Sequence, residues 1–138
     1  MVEKFKEGIM GQWIIPCNPN LYDVYSAFKN LSHIDWKQTN SSISVGDEVF
    51  IYVAEPISSI LYRCRVIKAN LSEPQIDDSA FILNDEIYRN RGNYNYMELE
   101  LLEKYNSLRF HIDVLRENGL KGNIQGTRGV KELETLLN

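Results

Sequence analysis

Two runs of β-branched and aromatic residues lie close together near the middle of the chain, and they constrain the fold more than any other feature. Residues 48–54 are EVFIYVA and residues 59–67 are SILYRCRVI. Residue types of this kind favour β-strands. In the second run Ile60, Tyr62 and Cys64 alternate with other side chains, so they share one face of a strand. The short separation of the two runs predicts a β-hairpin.

The flanking segments predict further strands and a few short helices. Residues 12–17 (QWIIPC) form an apolar run typical of a buried strand, and residues 96–105 alternate like a strand with one wet face. Helices are predicted from Asn20 to Asn30, after Asp113 as N-cap, and over residues 130–137. Loops are predicted over residues 37–44, 89–95 and 119–129, and residues 77–88 fit either a short helix or an irregular segment. We therefore expect one mixed α/β (α+β) domain over residues 1–138, a mainly antiparallel, partly closed barrel with short helices outside.

Composition narrows the class of protein. The chain has 138 residues, of which 43% are hydrophobic and 25% charged, as in an ordinary globular domain. No apolar run is long enough to span a membrane, and the first ten residues lack the apolar core of a secretory signal, so we expect a cytoplasmic protein. The two cysteines, Cys17 and Cys64, belong to no metal-binding motif, and we expect neither a metal nor a cofactor.

The charge is acidic overall and unevenly distributed. The net charge is −4, whereas proteins that bind duplex phosphates by charge alone are usually basic. Residues 71–103 contain eight acids and two arginines, and we interpret the acidic pairs between residues 77 and 86 as a solvated face. Residues 109–131 contain five cations and two acids. Binding to nucleic acid would therefore need a pocket or a local basic patch.

The order of several motifs resembles the EVE domain, a family of the PUA-like superfamily that is similar in fold to YTH domains. The motifs are QWIIPCNP, then Trp36, then VGDEVFIYVAE, then ILYRCRVI, and the resemblance covers residues 12–137. It implies a PUA-like, mainly antiparallel pseudo-barrel that binds a modified or flipped base in an aromatic-edged pocket. EVE-like domains recur as readers in methylation-dependent restriction systems, and YTH domains read a methylated adenine in RNA.

An extruded base needs flat walls and a few hydrogen-bonding groups at its edge. Trp36 is our candidate for stacking, and Asn18 offers a donor and an acceptor to a base edge. The remaining pocket candidates are Cys17, Pro19, Tyr52 and Val53. The alternatives are that Trp36 is a partly buried lid residue, that Asn18 only forms an Asx turn, and that Tyr52 is a core residue. Tyr94 and Tyr96 are candidates for another wall.

Four cations are candidates for contacts with the sugar-phosphate backbone. Lys121 and Arg128 lie in the glycine-rich segment 119–129, whose backbone N–H groups suit a phosphate. Arg63 and Arg65 share a face of the second central strand. The alternatives are solvated arginines and a simple pair of turns.

We therefore expect a non-enzymatic module that reads a modified, methylated base in DNA or RNA. The resemblance implies a restriction, defence or RNA-related setting, with a nuclease or NTPase as partner or fused domain, and no membrane. One alternative is a small RNA-processing hydrolase, which would need a histidine, a lysine and an acid in one cleft; His33 and His111 lie in no catalytic motif. Another is a protein-interaction module that uses the acidic segment and a flat apolar patch. The base, the sugar and the oligomeric state stay open.

Overall fold

The computed structural model describes residues 11–84, 86 and 94–138, which form one six-stranded sheet with short helices. The strands are β1 (Gln12–Cys17), β2 (His33–Gln38), β3 (Glu48–Val53), β4 (Ser59–Leu71), β5 (Asn95–Lys104) and β6 (Arg128–Gly129). The α-helices are α1 (Val24–Asn30), α2 (Ile112–Glu117) and α3 (Glu134–Leu137), with 3₁₀ turns at Ser79–Phe81 and Lys131–Leu133. No helix in these ranges is long and apolar enough to cross a membrane.

The sheet confirms the expected mixed, mainly antiparallel architecture. Its strand order is β2-β5-β4-β3-β1-β6, and of the pairs between described strands only β1 and β3 run parallel. The predicted hairpin is formed by β3 and β4, with Val49 opposite Cys64. The strands that contain Ile14, Phe50 and Cys64 are neighbours, since β3 pairs with β1 on one side and with β4 on the other.

The central strand β3 is buried on both faces, which explains its unbroken apolar sequence. One face carries Val49 and Ile51 into a core that also contains α1. The opposite face carries Phe50 and Tyr52 into a second core, which the C-terminal segment from Tyr105 onward covers. The sheet therefore lies between two apolar layers.

The structure corrects the first predicted helix and the loop that follows it. Helix α1 begins at Val24, not near Asn20, because Asp23 is the N-cap and its Oδ1 accepts the Ser26 N–H at 3.1 Å. The segment predicted as a polar loop over residues 37–44 overlaps the end of β2. The alternation of Ile34 and Trp36 with polar neighbours is the signal for this strand.

Two predictions near the C-terminal half also change. The N-cap of α2 is His111, whose Nδ1 accepts the Asp113 N–H at 3.2 Å, so Asp113 lies inside the helix. Gly119 follows the helix with a φ of 110°, as expected of a C′ glycine. Neither face of strand β5 is fully exposed to solvent, because Glu98 is buried beside His33. His33 Nδ1 lies 2.6 Å from Glu98 Oε2.

The acidic segment is not a solvated face throughout. Asp78 is fully buried, and its Oδ2 accepts a hydrogen bond from the Tyr22 hydroxyl at 2.8 Å. Residues 75 and 76 donate their backbone N–H groups to the buried carboxylate of Asp35 in β2. Burial raises the pKa of Asp35. The predicted turn at residues 89–93 lies outside the described residues.

A partly buried ion pair joins β3 to β4. Glu48 Oε1 accepts hydrogen bonds from Arg63 Nε at 3.0 Å and from Arg63 Nη2 at 2.5 Å. The same oxygen accepts a hydrogen bond from Gln12 Nε2 at 3.0 Å, which extends the network to β1. Since the Glu48 side chain is almost completely buried, its charge depends on these donors for solvation.

We expect Glu48→Gln to lower the free energy of unfolding by about 2–4 kcal/mol, because it leaves a half-buried Arg63 without its counter-charge. Urea denaturation measures this effect. Glu117→Gln in α2 is the matched control, since it removes one exposed carboxylate and should change stability by no more than about 0.5 kcal/mol. Equal stabilities of the two variants would contradict a structural role for the Glu48–Arg63 pair.

Candidate functional site

A gap between two strand edges creates the main cleft of this protein. Strand β6 has two residues and covers β1 only at Trp13 and Ile14. The rest of that β1 edge, residues 15–17, extends beyond β6. On the other side of the gap, β2 pairs with β5 among the described strands and leaves its second edge open. The sheet is therefore a barrel that stops short of closure.

A hydrogen bond between two threonines spans the gap. Thr39 Oγ1 follows β2 and lies 2.8 Å from Thr127 Oγ1, which precedes β6. The cleft beside this bridge has a volume of about 830 Å³. That volume lies within the range of small-molecule sites, about 300–1,000 Å³.

The cleft walls come from segments that are distant in sequence. The second half of β1 and the turn after it form one wall, and the end of β2 with Tyr94 forms another. The turn after β3 and the start of α2 close one end, and residues 123–127 form the last wall. Thus β1, β2 and both core layers meet at the cleft.

Four of the six predicted pocket residues line this cleft. They are Cys17, Asn18, Trp36 and Tyr52. Pro19 is not among the lining residues, and Val53 is fully buried in the core behind them. Val53 is the register partner of Cys17 in the parallel pair, and its chain neighbours Tyr52 and Ala54 line the cleft.

The aromatic residues of the cleft differ in exposure. Trp36 is 6% exposed and packs edge-on against Tyr22, with ring centroids 5.4 Å apart and planes at 75°, so it forms part of the floor. Tyr94 is 37% exposed at the rim, and Lys37 Nζ lies 5.2 Å from its ring centroid. Tyr94 therefore offers a ligand more aromatic surface than Trp36 does.

Asn18 is exposed at the mouth of the cleft and forms the Asx turn that the sequence analysis weighed against a binding role. Its Oδ1 accepts the Asn20 N–H at 2.9 Å, and its backbone carbonyl accepts the N–H groups of Leu21 and Tyr22. This turn fixes the side chain beside the β1 edge. The Nδ2 group is then the part of Asn18 that suits a ligand acceptor.

Cys17 lines the cleft, but its chemistry is that of a core residue. Burial, with a smaller contribution from the charge of Asp23, raises the pKa of the Cys17 thiol to about 12. The thiolate is the nucleophilic form of cysteine. At neutral pH almost all of this thiol is protonated, which disfavours a catalytic nucleophile at this position.

The polar lining of the cleft carries two cations and one carboxylate. The cations are Lys37 and Arg116, and the carboxylate is Glu55. Arg116 Nη2 donates to Asn123 Oδ1 at 2.9 Å, which links α2 to the opposite wall. The cleft is thus locally basic in an acidic protein.

The four cations predicted to contact the sugar-phosphate backbone do not line the cleft. Arg63 is engaged by Glu48, and Arg65 Nη2 lies 3.9 Å from the same carboxylate, so neither lines the cleft. Arg128 Nη1 donates to the Lys121 carbonyl at 3.3 Å, and the two residues flank the segment 123–127 that forms the last wall. The sequence pattern does not indicate Lys37 as a cleft residue, because it predicts a loop over residues 37–44 whereas β2 extends to Gln38.

The two histidines lie outside the cleft lining. His33 contacts Glu98 on β5, and His111 caps α2. The combination of histidine, lysine and acid that the hydrolase alternative requires is therefore not assembled from these two histidines. The cleft lining does contain a lysine, Lys37, and an acid, Glu55.

We expect both thiols of the folded protein to react slowly with a soluble disulfide reagent at pH 8. At that pH a thiol with the pKa of Cys17 is ionised to about one part in 10,000, and burial also raises the pKa of Cys64. Absorbance-monitored labelling of the Cys17→Ala and Cys64→Ala variants separates the two rates, and the urea-unfolded protein is the control. Rapid stoichiometric labelling of Cys17 in the folded protein would contradict the burial of this thiol.

Solved structures with the same architecture are found at low sequence identity. The ASCH protein from Zymomonas mobilis is 12% identical, with 92% of this chain and 94% of that chain covered and a TM-score of 0.59. A protein from Pseudomonas putida is 17% identical, with 91% and 96% covered and a TM-score of 0.62. The MmI1 YTH domain is 12% identical, with 92% of each chain covered and a TM-score of 0.53.

The sequence matches no protein-family model and no curated protein. At these identities the solved structures establish the fold alone. They confirm the PUA-like fold that the resemblance implies, while membership of the EVE family stays a prediction. The chain has a PUA-like fold, shared with an ASCH domain and a YTH domain.

Proposed function

We propose that this protein is a non-enzymatic nucleic-acid-binding module that takes one unstacked, modified base into the cleft between β1 and β2. The observation that carries the proposal is the composition of that cleft: an exposed aromatic rim at Tyr94, a Trp36 floor, a fixed amide at Asn18 and a locally basic lining. A base has two flat faces and a polar edge. The aromatic rings suit the faces, and the polar groups suit the edge.

The open strand edges add a second reason. An edge strand presents backbone N–H and C=O groups that no neighbouring strand satisfies. Among the strands of residues 11–84 and 94–138, two such edges border the same cleft. Pro16 removes one donor from the β1 edge, which leaves its pattern of donors and acceptors uneven. An uneven row of backbone groups suits a ligand edge better than it suits another strand.

The net charge supports a pocket over a broad phosphate-binding surface. A chain of net charge −4 gains little from non-specific attraction to a polyanion. The cations that line the cleft are therefore more useful for one nucleotide than for a long duplex. Single-stranded or locally opened nucleic acid is the substrate class that presents a base in this way.

The methylated base and the defence or RNA-related setting are the finer part of the proposal. They rest on the EVE resemblance, which also suggests a nuclease or NTPase partner. This chain shares its fold with a YTH domain, and the EVE family is similar in fold to YTH domains. The shared fold therefore supports the reading of a modified base. The raised pKa of Cys17 and the positions of His33 and His111 favour a reader over a hydrolase.

The proposal is tested by a binding screen of nine-nucleotide single strands, in DNA and in RNA, that carry 5-methylcytosine, N6-methyladenine or the unmodified base. We expect one modified strand to bind more tightly than its unmodified partner and to be recovered chemically intact after long incubation. Equal, weak binding of all strands would refute modified-base reading. Turnover of a strand, detected by chromatography, would favour the hydrolase alternative.

Tyr94→Ala should weaken binding of the preferred strand by about 5- to 150-fold, because stacking on one aromatic side chain contributes about 1–3 kcal/mol. Tyr94→Phe is the matched variant, since it keeps the ring and should bind almost as tightly as the parent. Fluorescence anisotropy measures both affinities.

Trp36→Ala is the poorer test, because emptying a buried aromatic site costs about 3–5 kcal/mol of stability. Leu108→Ala, which removes an exposed apolar side chain away from the cleft lining, controls for general surface effects. Unchanged affinity of Tyr94→Ala would show that this rim does not stack on a base.

A further inference from the structure

A second, shallower groove lies on the far side of the cleft wall. Its volume is about 350 Å³, and its lining includes Arg128, Gly129 and Lys131. It shares Asn123, Gln125, Gly126 and Thr127 with the main cleft. One wall, residues 123–127, therefore separates two adjoining cavities.

The groove is the more basic of the two cavities. Arg128 and Lys131 are its charged lining residues, and no carboxylate lines it. The Arg128 guanidinium donates to the Lys121 carbonyl, and its Nη2 lies 3.9 Å from Glu132 Oε2, beyond hydrogen-bond distance. A guanidinium has five N–H donors, so these contacts orient Arg128 and leave donors for an anion.

Gly126 belongs to the wall between the cavities and has no side chain. A Cβ atom placed on Gly126 would meet no atom within 4 Å. This residue therefore borders open space from both cavities. A flexible chain that occupies both cavities can cross the wall here without displacing a side chain.

Lys131 occupies an unusual backbone conformation beside this passage. Its φ is 42°, in the left-handed region that residues with a side chain rarely adopt. Lys131 is exposed and opens the 3₁₀ turn that leads into α3. Lys131, the second cation of the groove, therefore has a strained backbone.

We propose that the groove binds the backbone phosphate next to the base held in the cleft, with the strand crossing the wall at Gly126 and Arg128 and Lys131 as the phosphate contacts. This inference rests on the proposed function and specifies its ligand as a single strand of at least two nucleotides. Lys131 is a contact that the sequence pattern did not indicate. Lys121 holds Arg128 through its backbone carbonyl, so its side chain is not required for this contact.

The test compares two probes, the preferred nine-nucleotide strand and the matching nucleoside, which has the base and sugar but no phosphate. The Arg128→Gln/Lys131→Gln variant should bind the strand about tenfold or more weakly and bind the nucleoside like the parent. The slope of log affinity against log salt should decrease by about 0.7, which corresponds to one phosphate that is no longer neutralised on a single strand.

Three further variants make the result specific to the groove. Gly126→Leu adds a side chain to the passage without changing charge, and it should also weaken the strand while sparing the nucleoside; Gly126→Ala tests that the backbone accepts a side chain there. Lys29→Gln/Lys104→Gln removes two exposed charges outside both cavities and should leave strand binding within about twofold of the parent. Circular dichroism checks that each variant is folded.

The outcomes distinguish the two proposals. If the parent binds both probes and the groove variants bind the strand normally, the groove proposal is wrong and the base-reading proposal stands. If the groove variants lose the strand and the nucleoside equally, the two cations act on the cleft and not on a phosphate, which also overturns the groove proposal. If the parent binds neither probe, both proposals fail together.

Discussion

The two-residue length of β6 is the constraint on which the binding surface depends. A longer β6 would cover the whole outer edge of β1 and bring the barrel close to closure. Because the pairing stops at Ile14, the chain opens a cleft between β1 and β2 where the two apolar layers meet. The glycine-rich segment before β6 then becomes a wall of that cleft.

Open strand edges are a liability in most β-proteins, since they invite pairing with other chains. Here Pro16 lies on one edge, and the Thr39–Thr127 hydrogen bond ties the two sides together at one end. Charged residues at the cleft, among them Lys37 and Arg116, discourage an apolar strand from entering. The same features that protect the edges give the cleft its polar character.

The central strands could be predicted from sequence, because β3 and β4 are local in the chain and rich in β-branched and aromatic residues. Cys17, Asn18, Trp36 and Tyr52 line one cleft, and their grouping follows from the family resemblance and not from periodicity; their role in binding stays a prediction. The positions of the cations are harder to predict from the sequence. Arg63 looks like a surface arginine until its partner across the hairpin, Glu48, is known. Arg116 enters the cleft only because the C-terminal layer folds over the second face of the sheet, and no local pattern encodes that approach.

The pairing of distant strands has a consequence for how the molecule assembles. The β3–β4 hairpin closes a short loop, whereas β1 must find β3 with Gln12 opposite Glu48, and β2 must find β5 with Gln38 opposite Asn95. Closing long loops costs more chain entropy, so local pairs tend to form earlier in folding. Both borders of the cleft belong to the late, non-local pairs. A chain that has built its hairpin but not its edges has two of the six described strands and no cleft, so ligand binding would report completed folding and would favour pairing of the remaining strands.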